Sequence, residues 1–285
     1  YEDTKTLAVV GGGAMYDYDS LEDCEWYDLK NNIELVTVSG KVESVGENVF
    51  SGYPNLKEVY LGSSTQTVGG NAFADCPNLS LVSSTASTLN IGENAFDGCN
   101  KLIEIINNST LEISSDRSTL HLTGNIGENA KFIHSGESKI DYGKDYLFYT
   151  YEGTNFLLGY VGNGTAITLP ENYNGQNYVI NDYAFFDSGL VGMIIPDSVT
   201  SIGSSAFEGC SSLTSITIPD SVTSIGDWAF EFCASLASIT IPDSVTSIGR
   251  GAFLACGNLT NISFPDSIEY IGNSVLVETA YQSSP

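Results

Sequence analysis

Apolar and polar positions repeat every 23 residues over the C-terminal third of the chain. Each unit reads I-G-x-x-A-F-x-x-C-x-x-L-x-x-I-x-I-P-D-S-V-T-S, where x is a variable position. The unit begins at four isoleucines: Ile202, Ile225, Ile248 and Ile271. A fixed period of this length is typical of a repeat solenoid in which every unit forms one coil.

The positions within one unit predict two short strands joined by turns. Ile216 and Ile218 alternate with polar residues, which is the pattern of a half-buried strand. Pro219 ends that strand because it donates no hydrogen bond to a sheet. Residues 222–225 are predicted to form a second short strand, and residues 229–233 are predicted to form a 3₁₀ or short α-helical segment.

A degenerate form of the unit near the N-terminus indicates a second array. Val45, Val68 and Ile91 each precede a glycine and are again 23 residues apart. One coil cannot bury its own apolar face, whereas stacked coils align equivalent side chains in interior columns. The phenylalanine column that includes Phe230 is expected to bury the most apolar area. Gly226 is expected to permit a bend that a Cβ would resist.

The consensus from Pro196 to Gly272 resembles the BspA-like leucine-rich-repeat family almost letter for letter. Residues 6–26 look like the N-terminal cap of that family, and residues 146–175 look like its β-rich lead-in to an array. The resemblance implies a β-rich, right-handed superhelix with short 3₁₀ or α segments. It also implies a bacterial cell-surface or secreted protein, with its signal peptide removed, that acts in adhesion and in binding host proteins.

Repeats and resemblance together predict four regions. They are an N-terminal β cap over 1–40, a first array with a degenerate end over 41–140, a β-rich junction over 141–180 and a second array over 181–285. In the degenerate stretch, Lys131 separates Ala130 from the Phe132 that should follow it. Leu276 replaces the expected phenylalanine of the last unit, and we expect a larger parent protein that continues beyond Pro285.

The charge of the chain is strongly one-sided. Thirty-five Asp and Glu oppose 10 Lys and Arg among 285 residues, and the formal net charge is −25. This charge repels phosphates, so we expect neither nucleic acid nor an anionic membrane surface as a partner. High solubility explains the charge, and a basic partner or Ca²⁺ is the alternative. Because there is no long apolar run, no membrane insertion is expected in this segment.

Cysteine and histidine positions do not predict a reactive centre. Five of the six cysteines share one repeat position, which predicts buried free thiols in place of zinc pairs. Cys24, beside Trp26 in the cap, lies outside that repeat position, and for this thiol exposure and reactivity are the alternative to burial. The chain contains two histidines, His121 and His134, and no G-x-S-x-G motif that would supply a serine nucleophile for either. We therefore assign no catalytic, cofactor or metal site, and expect a chain that is not an enzyme.

Two groups of carboxylates remain to be explained. The first recurs every 23 residues: Asp197, Asp220, Asp243 and Asp266. The second lies in the cap: Glu22, Asp23, Glu25 and Asp28. Hydrogen bonding within turns explains the first group, and Ca²⁺ between neighbouring coils is the alternative. A calcium site needs more oxygen ligands than one column supplies.

Two sets of variable positions are candidates for a binding surface. Trp228 and Phe232 replace small residues of neighbouring units and would share one side of a helical turn. Alternatively, they pack on each other or on the next coil. The second set consists of polar strand positions that should face outward on a concave sheet: Ser215, Thr217, Ser238, Thr240, Asn261 and Ser263.

We therefore expect a non-enzymatic binding or adhesion module. It would contact surface or matrix proteins, or glycans, of a host or a neighbouring cell along its sheet. A structural spacer that presents another domain is one alternative. A glycan-binding or glycan-cleaving protein is another, and near Glu152 it would use an aromatic platform of Tyr142, Tyr146, Tyr149, Tyr151 and Tyr160.

Overall fold

The 23-residue units form the coils of β-solenoids, as the sequence predicts. The computed structural model describes residues 5–19, 21–113, 120–127, 130 and 132–283. The chain divides into two units, Tyr1–Ser138 and Lys139–Pro285. Lys131, which was expected to interrupt the motif, lies outside the described residues. The predicted domain boundaries at residues 40, 140 and 180 stay predictions.

Parallel strands build the first unit. They are β1 (Thr6–Ala14), β2 (Leu35–Val45), β3 (Glu58–Leu61), β4 (Thr67–Val68), β5 (Leu81–Ser84), β6 (Asn90–Ile91), β7 (Glu104–Asn107) and β8 (Phe132–His134). Strand β2 pairs with β3 through its first half and with β4 through its second half, so it belongs to two ladders. One ladder runs β1–β2–β3–β5–β7–β8, and the other runs β2–β4–β6.

The second unit begins with an antiparallel hairpin and continues with parallel coils. Its strands are β9 (Asp141–Tyr142), β10 (Tyr146–Tyr151), β11 (Thr154–Tyr160), β12 (Ala166–Thr168), β13 (Tyr178–Ile180), β14 (Gly192–Ile194), β15 (Val199–Ile202), β16 (Ser215–Thr217), β17 (Ser224–Ile225), β18 (Ser238–Thr240), β19 (Ser247–Ile248), β20 (Asn261–Ser263) and β21 (Tyr270–Ile271). One ladder joins β11–β13–β15–β17–β19–β21, and shorter ladders join β12–β14–β16 and β18–β20.

Helical structure is confined to short 3₁₀ turns among the described residues. These helices are Leu21–Asp23, Tyr27–Leu29, Leu120–Thr123 and Ala280–Ser283. Within the described part of the chain, no helix has the length and apolar character needed to cross a membrane.

A column of stacked phenylalanine rings occupies the centre of each core, as the repeat predicts. In the second unit, successive ring centroids are 5.2, 5.0 and 5.3 Å apart along Phe185, Phe207, Phe230 and Phe253. In the first unit, spacings of 6.0, 5.2 and 5.3 Å join Trp26, Phe50, Phe73 and Phe96. The cap tryptophan therefore extends the phenylalanine column of the first array.

Residues 229–232 lie in consecutive turns, and residues 229–233 do not form the 3₁₀ or α-helical segment suggested by the sequence. Trp228 and Phe232 have φ angles of 53° and 57°, in the left-handed region that interrupts a right-handed helix. The backbone N–H groups of Trp228, Phe230 and Phe232 instead donate to carbonyl groups one coil later, at 2.8, 2.8 and 3.0 Å. Hydrogen bonds between coils therefore alternate with turn bonds within the coil, such as that from the N–H of Glu231 to the carbonyl of Trp228 at 3.0 Å.

The recurrent glycine is required by the close approach of neighbouring coils. A Cβ on Gly226 would lie 2.5 Å from the backbone nitrogen of Ser204 and 2.6 Å from the backbone carbonyl carbon of Gly203. The need for glycine at position 226 was predicted correctly. The predicted reason, a backbone bend that only glycine adopts easily, is wrong because Gly226 is not among the residues with positive φ. The glycines that share this close approach are Gly46, Gly69, Gly92, Gly203, Gly249 and Gly272.

Candidate binding surfaces

The six polar strand positions predicted from the sequence are exposed on the second unit. On β16, β18 and β20 an exposed residue stands on each side of one buried isoleucine. These isoleucines are Ile216, Ile239 and Ile262, and they belong to the core. The predicted outward orientation is thus confirmed, because alternate residues of a strand point to opposite faces.

Parallel pairing places these polar side chains in rows. Ser238 pairs with Asn261 and Thr240 pairs with Ser263, in register between β18 and β20. The residues of β16 pair with β14, so Ser215 and Thr217 stand beside other partners. We call the residues of β14, β16, β18 and β20 that lie on this outward side the sheet face: Gly192, which is half-buried, and the exposed Ile194, Ser215, Thr217, Ser238, Thr240, Asn261 and Ser263. Every one of them is uncharged.

Two residues of the sheet face are absent from the set predicted from the sequence. Gly192 pairs with Ser215, and Ile194 pairs with Thr217. Ile194 is 63% exposed, and a Cβ on Gly192 would meet no atom within 4 Å. Together with β12 they line an open concavity of about 350 Å³. The 23-residue period could have located both positions, since each precedes its partner by one repeat.

Trp228 packs on the next coil, which was the alternative to a surface role. A Cβ on Gly251 would lie 2.7 Å from the Cδ1 atom of Trp228, so the indole covers that glycine. The guanidinium carbon of Arg250 is 4.2 Å from the ring centroid, which is a cation–π contact.

Phe232 occupies a different environment, and its ring is 53% exposed. Ring contacts among the described residues do not pair it with Trp228. The expectation that Trp228 and Phe232 share one side of a helical turn is wrong, because both have left-handed backbone.

The six cysteines are buried free thiols. Exposure of Cys24, which was the alternative to burial, is ruled out, since the residue is 5% exposed and its Sγ lies 3.8 Å from the carbonyl oxygen of Val49. At the repeat position, the thiol of Cys256 donates to the carbonyl oxygen of Phe230 at 3.0 Å. Burial raises the pKa of Cys256 to about 12, which keeps this thiol protonated and unreactive.

The recurrent aspartates lie at exposed turns. All of Asp197, Asp220, Asp243 and Asp266 are exposed. Serines that follow them bond the previous coil: Ser221 Oγ donates to the carbonyl of Val199 at 2.6 Å, and Ser244 Oγ donates to that of Val222 at 2.7 Å. Within the described residues, no three His, Cys, Asp or Glu side chains come together as metal ligands. The cap carboxylates are exposed as well.

A buried carboxylate in the first unit was not anticipated from the sequence. Glu104 on β7 is fully buried, and its Oε1 lies 2.8 Å from Nε2 of His134. Ser138 Oγ donates to Oε2 of Glu104 at 2.6 Å. The serine bonds the carboxylate and not the imidazole, so this is not the hydrogen-bonded pair of a nucleophile and its base. His121 is exposed elsewhere.

The tyrosines considered for a glycan platform are divided between core and surface. Tyr149 is 1% exposed and belongs to the interior. Tyr151 is 45% exposed at the end of β10. Tyr146 and Tyr160 contact each other with ring centroids 5.2 Å apart. The side chain of Tyr142 lies outside the described residues.

Solved structures similar to this chain include other leucine-rich-repeat proteins. A T. pallidum leucine rich repeat protein is 32% identical, with a TM-score of 0.47, and the match covers 50% of this chain and 68% of that one. A leucine-rich repeat protein from Eubacterium ventriosum is 22% identical, with a TM-score of 0.39 and coverage of 99% and 92%. A leucine rich cell surface protein from Faecalibacterium prausnitzii is 20% identical, with a TM-score of 0.37 and coverage of 94% and 88%. No curated protein matches the chain.

A family match covers both arrays. The family is described as the BspA type leucine rich repeat region, and six copies match over residues 20–135 and 178–284. These ranges contain the glycine and phenylalanine columns that hold the coils together. The chain therefore belongs to the BspA-type leucine-rich-repeat family.

Proposed function

We propose that this chain is a non-enzymatic binding or adhesion module, at the cell surface or outside the cell, that contacts its partner through the sheet face. The observation that carries this proposal is an exposed, uncharged face whose strands are held in register by the coils. Its partners would be surface or matrix proteins, or glycans, of a host or a neighbouring cell. The location comes from the family resemblance.

The physical properties of the sheet face suit extended contact. Hydroxyl and amide groups on β16, β18 and β20 offer hydrogen bonds without the large desolvation cost of buried charges. Ile194 stands beside the gap at Gly192 and supplies an apolar anchor that a partner side chain can contact. The backbone is fixed by parallel pairing, so little ordering is needed on binding.

The proposal is tested by measuring binding of the full chain to arrayed extracellular-matrix proteins and glycans. Thr217→Glu and Thr240→Glu place a charge on the sheet face and should weaken a saturable hit by about tenfold or more. Thr223→Glu is the matched control, because Thr223 is exposed in the same array but lies outside the sheet face. Equal losses for all three variants would contradict the proposal, and a blank array would favour the spacer alternative.

A further inference from the structure

The ring of Phe232 is a large apolar group on the outer surface of a turn. It is 53% exposed, whereas Phe230, two residues earlier in the same coil, is fully buried. The equivalent positions one coil before and one coil after are Gly209 and Ala255. The ring is therefore flanked by small residues, and it does not belong to the stacked column.

Folding alone gives no reason for a phenylalanine at this position. Phe232 has a φ of 57°, and the equivalent Gly209 and Ala255 have φ angles of 73° and 56°. Left-handed backbone is unfavourable for residues with a Cβ and favourable for glycine. The ring also leaves much of its area in water, so it contributes little burial. A side chain kept under these conditions points to contact with another molecule.

Two carboxylates are close to Phe232 in the chain and in the repeat. Glu231 precedes Phe232, and Glu208 occupies the equivalent position one coil earlier. Both carboxylates are half-buried. Burial raises the pKa of Glu231, and the neighbouring charge of Glu208 raises it further. Two like charges on a partly desolvated surface repel each other, and a cation placed against them would relieve that repulsion.

Few basic groups balance these carboxylates in the second unit. Its basic residues are Lys139, Lys144 and Arg250. Arg250 lies on the coil that follows the coil of Phe232, and its guanidinium group lies over the ring of Trp228. Charge complementarity therefore favours a cationic partner here, and it disfavours a second copy of this chain, which carries a net charge of −25.

We propose that Phe232, Glu208 and Glu231 form a docking surface for a basic segment of a protein partner. The partner would enclose the phenylalanine ring in an apolar cleft and place a lysine or arginine side chain against the two carboxylates. This Phe232 surface shares no residue with the sheet face, so the two proposals succeed or fail independently.

Binding of a short synthetic peptide composed of lysine and leucine to the full chain tests the proposal. One control peptide replaces lysine by glutamate, and the other replaces leucine by serine. Fluorescence anisotropy should show affinity for the lysine–leucine peptide about tenfold tighter than for either control. Phe232→Ala should remove about tenfold of that affinity, and Glu231→Gln should remove several-fold and reduce its dependence on salt.

Matched variants separate a specific surface from general attraction to an acidic protein. Tyr151→Ala removes another exposed aromatic ring, and Asp220→Asn removes another exposed carboxylate. Neither should change the affinity. Losses equal to those of Phe232→Ala and Glu231→Gln would overturn the proposal, as would equal binding of the serine control peptide. Self-association of the wild-type chain that Phe232→Ala abolishes would also overturn it, because the occupant would then be a second copy.

Phe232→Gly separates binding from folding. Glycine suits the left-handed backbone of this position, so the thermal midpoint should stay the same or rise while peptide affinity is lost. A fall in the thermal midpoint on this change would show that the ring serves the fold, and it would overturn the proposal.

Discussion

Phe230→Ala tests whether the ring column stabilises the second unit. Phe230 is fully buried, and its ring lies 5.0 Å from that of Phe207 and 5.3 Å from that of Phe253, with interplanar angles of 7° and 6°. Truncation of a buried phenylalanine to alanine costs about 3–5 kcal/mol, which combines lost burial with the cavity that remains. Each ring pair accounts for about 0.5–1.5 kcal/mol beyond its buried area.

Two features place the expected loss in that range. The ring touches a ring on each side, so two pairs are lost together. The backbone N–H of Phe230 bonds the carbonyl of Ala252 at 2.8 Å, which limits how far the next coil can move to fill the cavity. We therefore expect the free energy of unfolding to fall by about 3–5 kcal/mol.

Equilibrium unfolding in urea, followed by circular dichroism, measures this loss. Phe232→Ala is the matched control in the same coil, and its exposed ring should change the free energy of unfolding by less than about 1 kcal/mol. A loss below about 1 kcal/mol for Phe230→Ala would refute the argument that the column carries the core. A lower m-value would show that the coils on either side unfold separately.

Two further predictions concern close coil packing and buried thiols. Gly226→Ala places a Cβ 2.5 Å from the backbone nitrogen of Ser204 and should cost about 1–3 kcal/mol, whereas Gly257→Ala, with no atom within 4 Å, should leave the thermal midpoint unchanged or higher. Equal effects would contradict the account of coil spacing. Because burial raises the pKa of Cys256 from near 9 to about 12, its contribution to stability is complete below pH 9 and is lost as the pH rises through 12. Cys256→Ala should therefore flatten the alkaline fall in the urea midpoint, and an unchanged profile would count against this assignment.

The repeat itself was predictable from the sequence because its physical causes act on residue types. Each core column needs one large apolar side chain per coil. The phenylalanine position of Phe207, Phe230 and Phe253 supplies one such column. The recurrent Gly226 was identified for the wrong reason. Glycine is required there because the backbones of two neighbouring coils approach closely. That distance depends on how the coils stack, and the sequence of one unit does not show the stacking.

The surface features were less predictable because they depend on backbone conformation. Helical spacing between Trp228 and Phe232 was assumed, although both residues adopt left-handed backbone. The sequence did contain a signal, since the position of Trp228 holds Ser205 one coil earlier and Gly251 one coil later. Small residues and glycine at a fixed turn position favour positive φ. The contact of Glu104 with His134 joins residues 30 apart in the chain. This separation does not match the 23-residue repeat, so the repeat gave no signal for it.

Interior and surface positions of a coil tolerate change to different degrees, and this difference indicates where binding can be specific. A glycine such as Gly226 is fixed by the backbone of the previous coil, and a phenylalanine such as Phe230 is fixed by rings on both sides. Exposed strand and turn positions meet neither constraint, so substitution there alters the surface and preserves the coil. Ile194 stands where the next coils have threonine, and Phe232 stands between a glycine and an alanine. These two large apolar departures from the repeat add exposed area without adding to the core, and for that reason the two proposed binding surfaces are placed at these positions.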